Sequence, residues 1–146
     1  MNITIGKGYD SIVFGLTEKQ VIEQLGQPDK IYDVEYNEDE NDICFEYHAL
    51  QMALNFSPSE NNRLIWIAIK DRNCKINDEY LWSNDKSDII QIFKEKLQTQ
   101  HVFDDYGSLE SIGFDDHGLE FQFTLGRLIS INIGCMIDDD GEYIWV

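Results

Sequence analysis

The sequence predicts an α+β fold: an antiparallel sheet with helices on one face, built from two similar helix–meander units. Three observations predict it. Helix-capping signals open the apolar-periodic stretches near Glu18 and Lys86. Short β-rich segments divided by turn residues follow each of them. The plan then recurs along the chain, which is the mark of an internal duplication.

In the first unit, Thr17 stands where a helix N-cap belongs, Gln20 closes a capping box, and Leu16 with Val21 forms a hydrophobic staple. A helix therefore starts at about Glu18, with Val21, Ile22 and Leu25 on its apolar face. Gly26 supplies the left-handed position at its end and Pro28 forbids continuation, so it runs for about nine residues. Four β-rich runs follow: Lys30 to Tyr36, Ile43 to His48, Leu50 to Phe56 and Leu64 to Lys70. Their short connections let sequential strands pair as a meander without a crossover helix.

In the second unit, Asp85 is the expected N-cap of a helix from about Lys86 to Gln100. Ile89, Ile90, Phe93 and Leu97 form its apolar face, and Lys94 and Lys96 suit the negative end of the helix dipole. Strands are expected at Leu109 to Phe114, Leu119 to Leu125, Leu128 to Ile133 and Glu142 to Val146, with turns at 115–118, 126–127 and 138–141. A shift of 76 residues lays Ile43 to His48 over Leu119 to Thr124, apolar on apolar at alternate positions. The expected organisation is one domain over 1–146, divided into units 1–73 and 74–146.

Composition bounds the function. Eight Phe, seven Tyr and three Trp in 146 residues provide ample core material, so an acidic disordered tail is the wrong class. Against 28 acids stand 11 Lys and Arg, a net charge of −17 that repels nucleic acid and anionic membranes and favours a cationic partner or high solubility. Met1 to Ile5 gives way to Gly6, Lys7 and Gly8, which is no signal peptide, and no stretch approaches the length of a membrane span, so the expected location is the cytoplasm. Cys44, Cys74 and Cys135 are odd in number and lack CxxC spacing, which fits reduced thiols and no metal site.

The stretch Gly15-Leu16-Thr17, through Val21, to Leu25-Gly26-Gln27-Pro28-Asp29 resembles the helical units of the β-lactamase-inhibitor-protein and barrel-assembly-lipoprotein group. The resemblance covers about fifteen residues and implies helices layered on one sheet face, the other face being free to bind protein. By size, charge and layout the chain also resembles the bacterial immunity proteins that neutralise contact-delivered toxins.

Catalytic chemistry finds no foothold in the residue pattern. His48, His101 and His117 show no HExxH and no i,i+4 pair, and Asp138-Asp139-Asp140-Gly141-Glu142 ends before an EF-hand's twelfth ligand. There is no G-x-S-x-G, and Gly6-Lys7-Gly8 lacks the rest of a phosphate loop. Paired carboxylates carry no weight in so acidic a chain. No catalytic residue, metal ligand or cofactor is assigned.

The acids and aromatics carry more. Acids gather at turns: Asp33, Glu35, Glu38, Asp39, Glu40, Asp42 and Glu46; Asp104, Asp105, Glu110, Asp115, Asp116 and Glu120; Asp138, Asp139, Asp140 and Glu142. After Lys96 the only Lys or Arg is Arg127. Turn chemistry explains where these acids stand but not why bases are missing. If Phe45, Tyr47, Ile65, Ile67, Phe121, Phe123, Ile129, Ile131, Ile133 and Ile144 face the helices, alternation turns Glu46, Trp66, Glu120, Tyr143 and Trp145 to the opposite face. Aromatic anchors among charges compose a protein–protein hot spot, unless loops or a second copy cover them.

The functional expectation is an immunity-type inhibitor, not an enzyme, that binds a basic toxin domain such as a nuclease. Its partner-binding residues are Asp33, Glu35, Glu38, Asp39, Glu40, Asp42, Glu46, Trp66, Glu120, Asp138, Asp139, Asp140, Tyr143 and Trp145. The alternative is a self-assembling scaffold or adaptor module using the exposed sheet face. A hydrolase without a recognisable motif is the third expectation.

Overall fold

A computed structural model describes residues 1–146. Three short strands, β1 (Asn2–Thr4), β2 (Gly8–Tyr9) and β3 (Ile12–Val13), precede helix α1 (Glu18–Leu25). Then come β4 (Lys30–Glu35), β5 (Asn41–Tyr47), β6 (Met52–Ser57), β7 (Arg63–Ile69) and the two-residue β8 (Lys75–Ile76). Helix α2 (Lys86–Leu97) leads into β9 (Val102–Asp105), β10 (Leu109–Phe114), β11 (Leu119–Thr124) and β12 (Arg127–Gly134). The fold is α+β, and its pairing is antiparallel except where β8 joins β1.

Eight strands form the main sheet in the order β4-β5-β6-β7-β12-β11-β10-β9, so the last strand of each meander pairs with the other. Register builds apolar rows across this seam. Phe45 stands opposite Leu54, Leu54 opposite Ile67, Ile67 opposite Ile133, Ile133 opposite Leu119 and Leu119 opposite Phe114, all of them buried. Val21 of α1, Ile89 and Phe93 of α2, and Ile3, Tyr9 and Ile12 of the small β3-β2-β1-β8 sheet join the same core cluster. Phe93 lies 5.1 Å from Phe121 and 6.2 Å from Phe114, ring centre to ring centre. Each such side chain contributes on the order of 2 kcal/mol by leaving water.

Both helices start as their caps dictate. Thr17 Oγ1 accepts from the Gln20 amide at 3.2 Å while Gln20 Oε1 accepts from the Thr17 amide at 2.9 Å, completing the capping box. Gly26 ends α1 at φ +83°. Asp85 accepts from the Asp88 amide at 2.9 Å, and α2 ends at Leu97, short of Gln100, because Gln98 turns left-handed.

Several expectations need correction. Residues Glu142 to Val146 form no strand: β7 and β11 already occupy both edges of β12, leaving a single bridge between Ile137 and Tyr143. The second meander instead begins with β9, an edge strand exposed at every residue and so without alternation to betray it. The shift of 76 residues matches β5 to β11, the second strand of one meander to the third of the other. The last two strands of each meander share a different signature: a bulge in β7 opposite Asn55 and Phe56, and another in β12 opposite Gln122 and Phe123. Phe56 faces Leu64 and Phe123 faces Leu128, so Ile65 and Ile129 become the extra residues and leave the core, contrary to strict alternation. Ile144, expected inside, is half exposed because its segment lies outside the sheet.

Candidate functional site

The bulge at Ile65 does more than tilt β7. It turns Ile65 and Trp66 together toward the face opposite the apolar rows, where both line a cleft of about 780 Å³. The β4–β5 hairpin, the 3₁₀ turn Pro58–Glu60, the end of β12 and the 3₁₀ turn at Asp115–His117 supply the other walls.

Tyr36, Trp66 and Tyr143 are its aromatic walls, Asp39, Glu40, Asp42 and Asp115 its charges, and no Lys, Arg or His lines it. Asp42 is only 8% exposed, and its carboxylate accepts from the Tyr36 hydroxyl at 3.0 Å. The ion pairs of the molecule are Glu46 with His48, Glu110 with Lys86 and Glu79 with Lys96, so none neutralises an acid of the cleft. Burial, then the hydrogen bond to Asp42, holds the Tyr36 phenol above its usual value. Burial, followed by the charges of Asp42 and Glu60, does the same for Tyr143.

Trp66 lies against Gly134, where an added Cβ would stand 2.8 Å from the ring's Cε3. Only glycine permits that approach. Tyr143 is stacked on Trp145 with ring centres 5.2 Å apart, and Trp145 is covered by the Arg63 guanidinium at 5.0 Å and packs at Gly15. Trp145 thus supports the wall without being an open anchor.

Of the acids and aromatics predicted to bind a partner, the structure brings Asp39, Glu40, Asp42, Trp66 and Tyr143 to the cleft. It leaves the others elsewhere. Asp33 and Glu35 are exposed on edge strand β4, opposite Ile43 and Asn41. Glu38 is exposed in the β4–β5 turn. Glu46 bonds Tyr32 at 3.0 Å and His48 at 3.1 Å, and the bonds, that to His48 foremost, hold its carboxyl below the usual range. Glu120 accepts from Ser111 and Asn132 at 2.7 Å each and from Gln122 at 3.2 Å. Asp138 accepts from the amides of Asp140 and Glu142 at 2.9 Å each, closing an exposed turn that also holds Asp139.

Tyr36, Asn55 and Asp115 are site residues the sequence reading left out. Tyr36 was accessible to it, since Tyr32, Val34 and Tyr36 share a period of two, whereas Asp115 arrives from the other half of the chain.

Burial raises the thiols of Cys44, Cys74 and Cys135, the last to about 11, which keeps them in the unreactive protonated form. No group of three or more His, Cys, Asp or Glu is placed to hold a metal ion, and no helix is long and apolar enough to cross a membrane. No family model matches the chain, and neither a curated protein nor a solved structure matches it. Fold and site define an α+β protein with an aromatic-walled anionic cleft on its sheet.

Proposed function

We propose that the chain is an immunity-type inhibitor that acts by binding, not by catalysis, and neutralises a basic toxin domain through this acidic surface. The observation that carries the proposal is the cleft itself: four carboxylates and three aromatic rings gathered from both halves of the chain, with no base among them. Carboxylates crowded without counter-charge repel one another, and a cationic partner removes that repulsion while gaining steered encounter. A nuclease suits the chemistry, because a site built for phosphate already accepts negative charge. Three buried free thiols suit a reducing compartment such as the cytoplasm.

We also read the two halves as copies of one helix–meander unit, with both helices on the same sheet face. The bulges in β7 and β12 and the shared core cluster support that reading.

The test is retention from the native cell extract at low salt on immobilised protein, followed by assay. The expected result is a basic protein whose enzymatic activity falls on adding wild type but not the Asp39→Asn/Glu40→Gln/Asp42→Asn variant. Equal inhibition by that variant overturns the cleft's role. A stable dimer by sedimentation without any partner supports self-assembly instead.

A further inference from the structure

Two of the three tryptophans already carry an arginine of this chain: Arg63 over Trp145 at 5.0 Å, and Arg72 over Trp82 at 5.6 Å. Trp66 carries none. It lines the cleft, one part of its ring laid against Gly134, and the buried Asp42 carboxylate lines the same cleft without a cation. The remaining arginine, Arg127, stands exposed at the start of β12, away from the cleft lining.

We infer that the cleft receives one arginine side chain of the basic partner, its guanidinium stacked on Trp66 with Asp42 as its counter-charge. The inference rests on the inhibitor reading and names what that reading's site takes. Arginine fits better than lysine: its guanidinium is planar, weakly hydrated and able to stack on an indole while offering a fork of donors to a carboxylate. An ammonium keeps more of its water and uses a flat ring less well. A cleft of about 780 Å³ has room for the side chain and its flanking backbone.

The test titrates this chain alone with N-acetyl-arginine amide, following the indole N–H resonances of Trp66, Trp82 and Trp145 by NMR. N-acetyl-lysine amide and the neutral isostere N-acetyl-citrulline amide serve as comparisons. Arginine amide is expected to shift the Trp66 resonance saturably, with a dissociation constant on the order of 1 mM, while the other two indoles stay put. Citrulline amide is expected to bind about tenfold more weakly, and Asp42→Asn to weaken arginine by a similar factor. Citrulline or lysine amide binding as well as arginine overturns the inference, as does a Trp66 resonance that never moves. If the titration fails while a basic protein is still captured and inhibited, the arginine pocket falls and the inhibitor reading stands. If the titration succeeds and no basic protein is captured, the inhibitor reading falls and the pocket stands.

Discussion

Replacing Gly134 by alanine perturbs the cleft floor and leaves every charge in place. The new Cβ would stand 2.8 Å from Cε3 and 3.0 Å from Cζ3 of Trp66. Carbon atoms pack best about 3.5–4.0 Å apart, so ring or strand must give way by most of an ångström. Gly134 is hydrogen-bonded into β12 opposite Trp66, and its amide donates to Gly118 O at 2.8 Å, which leaves the strand little freedom. Overpacking of this kind costs about 1–3 kcal/mol. In a chain of this length that lowers Tm by about 3–9 °C. Urea unfolding gives the free energy, and the Trp66 indole resonance reports the ring's displacement. A double-mutant cycle with Trp66→Leu isolates the clash, because the alanine should cost little once the indole is gone. A Gly134→Ala protein with unchanged Tm and an unmoved Trp66 resonance refutes the geometry. So does a cost that persists undiminished beside Trp66→Leu.

Three further perturbations probe the α1 cap, the apolar core and a buried thiol. Thr17→Ala removes the Oγ1 acceptor of the capping box and should cost about 1 kcal/mol in urea unfolding; no loss contradicts the cap at α1. Leu54→Ala opens a hole in the central apolar row and should cost about 3–5 kcal/mol, measured the same way; a loss under about 1 kcal/mol places Leu54 outside the core. Cys135 holds its proton to about 11 when folded, whereas the unfolded thiol releases it near its ordinary 9.0. Its contribution is therefore complete at neutral pH, declines once pH passes the unfolded value, and is lost as pH rises through the folded one. Urea midpoints at pH 8 and pH 10 should fall less steeply for Cys135→Ala than for wild type, and equal slopes contradict the assignment.

The helices and seven of the eight main strands were legible because each carries a local signature: a cap, an apolar period, or turn residues at its ends. What stayed hidden depends on pairing. β9 is an edge strand exposed throughout, the small N-terminal sheet uses strands of two or three residues, and the fate of 142–146 was decided by β7 taking the free edge of β12. The bulge at Ile65 likewise has no composition signal, yet it decides that Ile65 faces the cleft with Trp66. The candidate site was legible as an acidic stretch around Asp39, Glu40 and Asp42 and as a tryptophan on the outer face. Tyr143 was expected beside Trp66 as well, but from a strand over 142–146 that does not form; that Asp115 would join them follows from the β7–β12 seam, which no single stretch encodes.

An anionic cleft without counter-charge that meets a basic partner must steer the encounter electrostatically. Stopped-flow association of the captured partner with this chain, from about 50 mM to 500 mM salt, reads that steering. The association rate should fall at least about tenfold across that range, with a shallower fall for the Asp39→Asn/Glu40→Gln/Asp42→Asn variant. A rate that ignores salt, or a variant whose salt dependence matches wild type, contradicts the steering.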